Sequence, residues 1–154
     1  TLTSRIVDRA LRPLFPKGFN YPVQITIFAL SVDENADLQV LALKAASAAL
    51  FTSSIPVQKS ISAVRIGKIG DNFIVNPDAK EKNRSTLDLF IAGSKDELIM
   101  IEMRSIGKLV DDTHFNNALP EEKLIEAITL AQEKLKIYNE KYETLFTPLI
   151  RPEK

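Results

Sequence analysis

The sequence predicts an α+β fold, because apolar residues recur with two different periods in successive parts of the chain. Residues 60–103 contain short runs of alternating apolar and polar side chains, interrupted by glycine-containing turns that are typical of hairpins. Segments before and after this region repeat their apolar residues every three to four positions, as helices that bury one side do. Four or five strands with helices between and after them are expected to form a sheet covered by helices.

Length and charge limit the classes of protein that the chain can belong to. Its 154 residues, 45% of them hydrophobic, suffice for one core or for part of a larger one. Since 20 basic and 20 acidic residues cancel, any contact with nucleic acid has to be local. The chain has no cysteine, which excludes disulfides and thiolate metal sites and fits a reducing compartment, so we expect a cytoplasmic protein.

The ends of the sequence and its hydropathy bear on targeting. We expect no membrane partner, because the sequence contains neither a signal peptide nor an apolar run of membrane-spanning length. The chain starts at Thr1 without a methionine, which indicates a fragment.

The first predicted element is a short helix that is capped by Thr3 or Ser4 and ends before Pro13, since proline disfavours helical geometry in the residue that precedes it. One side of this helix is apolar and is expected to face a core. That side consists of Leu2, Ile6 and Ala10, flanked by Val7 and Leu11.

Arg5, Arg9 and Arg12 lie at positions i, i+4 and i+7, so a helix places them in one row. Asp8 is the only acid before residue 33. One interpretation of the row is a solvated face, or arginines tied to carboxylates elsewhere in the fold. The other is a phosphate-binding edge, because the planar guanidinium offers several donors to phosphate oxygens. Spacing alone does not decide between them.

Two long apolar segments follow the first helix. Residues 21–32 are apolar at both alternating sets of positions, which predicts a strand buried on both faces. Residues 33–35 then turn the chain into a helix that is expected from about residue 36 to residue 52. The many alanines of this helix indicate close packing against its neighbours.

Two hairpins are predicted after these segments. The expected strands are residues 60–69, 72–75, 86–92 and 98–103. Gly70 and Asp71 form the tight turn of the first hairpin. Residues 76–85 are polar and charged without periodicity, which predicts a loop.

Residues 121–147 predict a long helix, because neither glycine nor proline interrupts them. Their apolar residues form a heptad-like seam, which leaves two alternatives: a coiled-coil partner, or docking on the sheet. The seam is only about three heptads long, which favours docking on the sheet and continuation into a linker.

Candidate catalytic and metal-binding groups are few. His114 is the only histidine, and in a polar loop we expect it to be inert. Asp88 falls inside a predicted strand, and a salt bridge with Arg65 or Arg84 would explain the presence of an acid at that position. The other acids would hold magnesium only if two of them converged. They are Asp78, Glu81, Asp96, Glu97, Asp111 and Asp112.

A series of short sequence blocks runs through the first 118 residues. The blocks are Thr3–Arg9, Leu11–Pro16, Gly18–Phe19, Leu30–Asp33, Ala46–Leu50, Ser54–Pro56, Ala63–Gly67, Asn76–Pro77, Leu87–Leu89 and Ala92–Gly93. In this order and spacing they resemble the first ribonuclease-PH-like core domain of the polynucleotide phosphorylase family.

The resemblance implies an α+β ribonuclease-PH-like sandwich. Residues 1–118 would be the C-terminal portion of the first core, with its N-terminal strands missing. Residues 119–154 would be a terminal helix and the start of an all-helical linker.

The resemblance also implies an activity for the parent enzyme. That enzyme would degrade RNA from the 3′ end with inorganic phosphate and magnesium, release nucleoside diphosphates and run in reverse. Its partners would be RNA and other core domains of the same enzyme in a homo-oligomeric, trimeric ring. Arg5, Arg9 and Arg12 would contact RNA, whereas this segment would bind no metal and carry no catalytic residue.

Departures from the family pattern indicate the non-catalytic copy of the core. The active copy carries two acids and a lysine that position a metal and the attacking phosphate. The matching residues here are Lys82, Asp88 and Phe90, so only one acid is retained. The active copy also presents serines to phosphate at a helix start where this chain has Asp37, whose charge would repel phosphate.

Two other functions fit the same residues. One is a stand-alone RNA-binding or scaffold module, which the length of the parent gene would distinguish from an enzyme segment. The other is a helix-mediated oligomerisation domain, which depends on an exposed seam along the last helix.

Overall fold

A four-stranded antiparallel sheet lies between two helical layers in the computed structural model, which describes residues 2–57, 59–105 and 119–151. The helices are α1 (Leu2–Leu11), α2 (Leu38–Phe51), α3 (Ala79–Arg84) and α4 (Glu121–Phe146). The strands are β1 (Ser62–Ile69), β2 (Asn72–Val75), β3 (Leu87–Gly93) and β4 (Leu98–Ser105). The α+β class expected from the sequence is confirmed. No helix in the described ranges is long and apolar enough to cross a bilayer.

The strands lie in the order β2, β1, β3, β4, and both predicted hairpins are present. Side chains alternate between the two faces of a sheet, so each face supplies a separate core. The face toward α1 and α2 contributes Ala63, Phe90 and Ala92. The face toward α4 contributes Val64, Ile66, Leu89 and Ile91.

α4 is docked on the sheet. Of the two alternatives for the heptad-like seam of this helix, a coiled-coil partner or docking, this is the one that its short length favoured. Ala127, Ala131 and Leu135 are fully buried in the core that α4 forms with β1 and β3. Asn139 fixes the helix further along, because its Nδ2 atom donates to the carbonyl oxygens of Gly93 and Leu135, each at 2.9 Å. The middle of the seam of α4 is thus covered by the sheet of its own chain, whereas Leu145 at its end is 67% exposed.

α1 begins at Leu2, so Thr3 and Ser4 lie inside the helix and the capping role predicted for them is wrong. The first N–H groups of any helix lack partners within it, so its starting residue is weakly determined by local sequence. The other end agrees with the prediction, since α1 stops at Leu11 before a 3-10 turn that contains Pro13. The buried side of the helix consists of Ile6, Val7, Ala10 and Leu11.

The strand predicted for residues 21–32 is absent, and that prediction is wrong. The segment is exposed throughout, with Phe28 78% and Leu30 96% exposed. A strand needs a hydrogen-bonded neighbour, and none of the described strands pairs with this segment. Instead it borders a wide groove of about 960 Å³ that α1 and α2 also line.

The prediction of a loop for residues 76–85 is also wrong in part, because Ala79–Arg84 form α3. The local reason is a capping box. Asp78 Oδ1 accepts from the Glu81 N–H at 2.7 Å, and Glu81 Oε2 accepts from the Asp78 N–H at 2.9 Å. An acid three residues before a glutamate is the sequence signal for such a start.

We predict that the isolated chain self-associates through residues 23–32, because contiguous exposed apolar surface favours association. Lysines at two of its most exposed positions, Phe28→Lys with Leu30→Lys, should shift sedimentation toward the monomer. Ile125→Lys, at a position 55% exposed on α4, is the matched control and should leave association unchanged. A strictly monomeric parent chain over a wide concentration range would contradict the prediction.

Candidate functional site

A cavity of about 390 Å³ opens where the start of α2 meets α3 and the face of the sheet that α1 and α2 cover. It brings together the three positions that the family resemblance matches to the active copy. Lys82 comes from α3, whereas Asp88 and Phe90 lie on the same face of β3. The lining also includes Asp37, Gln39, Arg65, Glu102 and Arg104.

The sheet register places the charged side chains of the cavity. Arg65 on β1 pairs with Phe90 on β3, and Gly67 pairs with Asp88, so Arg65 and Asp88 are diagonal neighbours on one face. Gly67 has a further role: a Cβ atom there would lie 3.0 Å from Ser85 Oγ. The absence of a side chain lets the segment that follows α3 approach β1 closely.

Arg65 is the central group of the cavity, with only 8% of the residue exposed. Its Nη1 atom donates to Asp88 Oδ1 and its Nη2 atom donates to Gln39 Oε1. Its Nε atom lies 2.5 Å from Asp37 Oδ2 without the alignment of a hydrogen bond. The guanidinium also lies over the Phe90 ring, with 5.4 Å between Cζ and the ring centroid. Four groups therefore enclose one buried cation.

Asp37 connects this cation to the start of α2. Its Oδ1 atom accepts from the backbone N–H groups of Gln39 and Val40, at 3.0 and 3.1 Å, and so caps the helix. Its Oδ2 atom faces Arg65 and accepts a hydrogen bond from Lys82 Nζ at 2.8 Å. A helix start is a favourable place for an anion, and here a carboxylate of the chain itself occupies that place.

The charges of the cluster balance. Burial of the Asp37 carboxyl opposes its ionisation, but the hydrogen bonds from Lys82 and Val40 and the positive charges of Arg65 and Lys82 together hold the pKa of Asp37 below its ordinary value. The cations Arg65 and Lys82 are thus matched by the anions Asp37 and Asp88. The two other charged residues of the lining, Glu102 and Arg104, face each other at 3.8 Å, so the described lining has no net charge to attract a phosphate group.

The same arrangement does not fit a magnesium ion. The guanidinium of Arg65 lies between Asp37 and Asp88, where a metal ion would have to sit to be shared by the two carboxylates. Among the described residues, no group of three or more His, Cys, Asp or Glu side chains could hold a metal. Asp78 and Glu81 are engaged in the cap of α3, and Glu97 Oε2 pairs with Lys59 at 3.1 Å.

Of the three predicted RNA-contacting arginines, Arg5 and Arg9 lie on the exposed side of α1, and Arg12 is the exposed first residue of the 3-10 turn that follows it. Arg12 Nη2 donates to both oxygens of Asp8, at 2.7 and 2.8 Å, and this hydrogen bond and the charge of Asp8 raise the pKa of Arg12. Within the described part of the chain, the side chains of Arg5 and Arg9 make no ion pair or hydrogen bond. Two members of the row are therefore available to an external anion, and one is already paired.

The sequence pattern suggests Arg65 only as one of two partners for Asp88, and the Arg65 pairing is the one observed. One feature of the sequence could have indicated that Arg65 lies at the centre of a buried cluster, because a cation inside an otherwise apolar strand needs buried acceptors. His114, Asp111, Asp112 and the predicted boundary at residue 118 lie outside the described residues.

Comparisons with known proteins place the chain in a family. A model described as 3′ exoribonuclease family, domain 1, matches residues 1–56, and one described as 3′ exoribonuclease family, domain 2, matches residues 59–134. The two matches are consecutive and cover most of the sequence. The chain belongs to the 3′ exoribonuclease family.

Curated relatives agree with this assignment. Proteins named polyribonucleotide nucleotidyltransferase from Sulfurimonas denitrificans and Helicobacter pylori are 50% and 54% identical to the chain, over 95% and 96% of its length. One from Campylobacter hominis is 48% identical over 99% of the chain. The chain spans only 20–23% of the length of these relatives. The predicted resemblance to the polynucleotide phosphorylase family is confirmed.

A solved structure supports the fold. A chain described as archaeal exosome core superposes with a TM-score of 0.68 at 16% sequence identity, covering 92% of this chain and 62% of that one. At this identity the similarity concerns the fold alone.

We predict that Asp37→Asn lowers the free energy of unfolding at pH 7 by on the order of 3 kcal/mol, since it removes one member of a buried ion-pair cluster. Because the pKa of Asp37 is lowered by folding, its contribution is complete above the ordinary aspartate pKa of about 3.9 and is lost as pH falls through the lower folded pKa. The difference between parent and variant, measured by hydrogen exchange of β1 and β3 amides, should therefore shrink below about pH 4.

Asp33→Asn is the matched control, because Asp33 is exposed and accepts only a local hydrogen bond from the Asn35 N–H. It should leave stability nearly unchanged at every pH. A constant deficit of Asp37→Asn between pH 7 and pH 2 would contradict the assigned role.

Proposed function

We propose that this chain is the non-catalytic first core segment of a polyribonucleotide nucleotidyltransferase. The enzyme degrades RNA from the 3′ end with inorganic phosphate, releases nucleoside diphosphates and runs in reverse. The identity to proteins of that name supports the parent activity. The observation that carries the non-catalytic role is the closed cluster of Asp37, Arg65, Lys82 and Asp88 in the cavity.

The chemistry of the cluster explains this assignment. Phosphorolysis needs a site that attracts phosphate and a metal that stabilises the developing charge. Here Asp37 repels an incoming phosphate, and Lys82 is bound to Asp37 rather than left to contact a substrate. Phe90 offers a ring to Arg65 where the active copy has a lysine. Magnesium and phosphate therefore belong to the catalytic copy elsewhere in the parent enzyme.

The segment contributes RNA contact and assembly to that enzyme. The row of Arg5, Arg9 and Arg12 supplies phosphate contacts, which position an RNA strand without reading its bases. The exposed apolar side chains of residues 23–32 supply surface for packing against other core domains of a homo-oligomeric, trimeric ring. Within this scheme residues 1–118 form the core, and residues 119–154 form the terminal helix and the start of the linker.

Of the two other functions that fit the sequence, helix-mediated oligomerisation has the weaker support, because the middle of the seam of α4 packs against its own sheet. A stand-alone RNA-binding module would use the same arginine row. It differs in having no phosphorolytic activity anywhere in the full-length protein.

We predict that the isolated chain releases no nucleoside diphosphate from oligoadenylate in the presence of phosphate and magnesium, whereas the full-length protein does. The reason is that Lys82 and Phe90 replace groups that metal binding and phosphate attack require. In the full-length protein, Asp88→Asn should lower stability but leave kcat nearly unchanged. Phosphate-dependent release by the isolated chain, lost in Asp88→Asn, would contradict the non-catalytic role.

We predict that Arg5→Ala and Arg9→Ala weaken binding of the full-length enzyme to every RNA sequence alike. Each lost phosphate contact should flatten the slope of log affinity against log salt by roughly 0.7, the value for a single strand. Arg12→Ala should have a smaller effect, because Asp8 already neutralises that arginine.

The salt slopes are compared with melting curves of the same variants. Arg84→Ala is the matched control, since Arg84 is an exposed arginine on α3, outside the row. If all three variants of the row lose stability and none changes the slope, the arginines are structural and the RNA role fails.

A further inference from the structure

The segment that follows α1 folds three aromatic side chains against one another. The Phe15 and Phe19 ring centroids lie 5.5 Å apart, and those of Phe19 and Tyr21 lie 5.6 Å apart in an edge-to-face arrangement. A turn produces this stack: the Phe19 N–H donates to Pro16 O at 3.1 Å, and Gly18 has a φ of 87°, which favours glycine. We call Phe15, Phe19 and Tyr21 the aromatic stack.

The outer member of the stack is open to solvent. Tyr21 is 79% exposed, and its contact with Phe19 is made at 64° between the ring planes. An edge-to-face contact on one side leaves ring surface uncovered. Phe15 and Phe19 are only partly exposed; Phe19 contacts Tyr21, and Phe15 contacts Phe19.

The surroundings of the stack favour an anionic ligand. Lys17 lies at the exposed turn between Phe15 and Phe19, and in the described structure it has no ion-pair partner, whereas Arg12 is paired with Asp8. Before residue 33 the chain has four cations and one acid, whereas the whole chain has no net charge. An exposed aromatic ring beside flexible cations is the combination that binds single-stranded nucleic acid, through base stacking and phosphate attraction.

We propose that Tyr21, in contact with Phe19 and preceded by Lys17 in the exposed turn, is a stacking subsite for one base of a single-stranded RNA. It deepens the proposed function, since it extends the phosphate contacts of the arginine row with a contact to a base face. Stacking on a ring is tolerant of sequence, because every base has a π face. The subsite therefore adds affinity without adding base preference.

The test compares two probes on the full-length enzyme in phosphate-free buffer. One probe is an oligoadenylate, and the other is an oligomer of the same length with abasic ribose in place of the adenosines. Tyr21→Ala should weaken binding of oligoadenylate by about 5- to 150-fold, the effect of losing one stacked base, and leave the abasic probe unchanged. Tyr21→Phe should retain parent affinity, and neither variant should change the salt slope.

Ile125→Ala is the control, because Ile125 is an apolar side chain that is 55% exposed on α4, outside both the aromatic stack and residues 23–32. It should bind both probes as the parent does. The proposal is overturned if Tyr21→Ala binds oligoadenylate normally, if it loses both probes equally, if Ile125→Ala shows the same loss, or if Tyr21→Ala changes the sedimentation of the enzyme instead, as a protein interface would. None of these results bears on diphosphate release or on the arginine salt slopes, so the proposed function stands or fails separately.

Discussion

The guanidinium of Arg65 is enclosed on the face of the sheet that α1 and α2 cover. The packing of that face depends on giving this buried cation hydrogen-bond acceptors and opposite charges. An unpaired cation at this depth would cost several kcal/mol, so the fold has to bring acceptors to it. Asp88 comes from the neighbouring strand, whereas Asp37 reaches it only if α2 starts at the correct place above the sheet. Buried ion pairs add little net stability once desolvation is counted. We infer that these pairs mainly fix the position of α2 relative to β1 and β3.

Local patterns and long-range contacts explain which elements the sequence could predict. The four strands and α4 follow from periodicity and from turns such as Gly70, because each repeats a local signal over enough residues. α3 has only 6 residues, too few for a period, and its one local signal is the acid at Asp78 three residues before Glu81. Residues 21–32 have a strong strand pattern, but strand formation depends on a neighbour that the pattern does not contain.

The residues of the candidate site also divide into those that the sequence could place and those that it could not. Lys82, Asp88 and Phe90 could be placed together by their resemblance to a family pattern, and the fold does bring them to one cavity. The full set of partners around Arg65 could not be predicted, because Asp37 is 28 positions away in the sequence and contacts Arg65 only through the packing of α2. The pairing of Arg12 with Asp8, by contrast, is a local i, i+4 contact, which helical spacing makes available.

α1 separates two environments that use charge in opposite ways. Its Leu2 and Ile6 side chains border the cavity in which cations and anions cancel, and such a cavity favours a fixed structure over ligand binding. The opposite side of the helix carries Arg5 and Arg9, whose charges no described group compensates. Compensated charge in a buried site holds elements in place, whereas uncompensated charge at an exposed edge remains available for a partner. The proposed loss of catalysis in the cavity and the proposed RNA contact on α1 are therefore compatible, because the two depend on separate sets of charges on the two sides of one short helix.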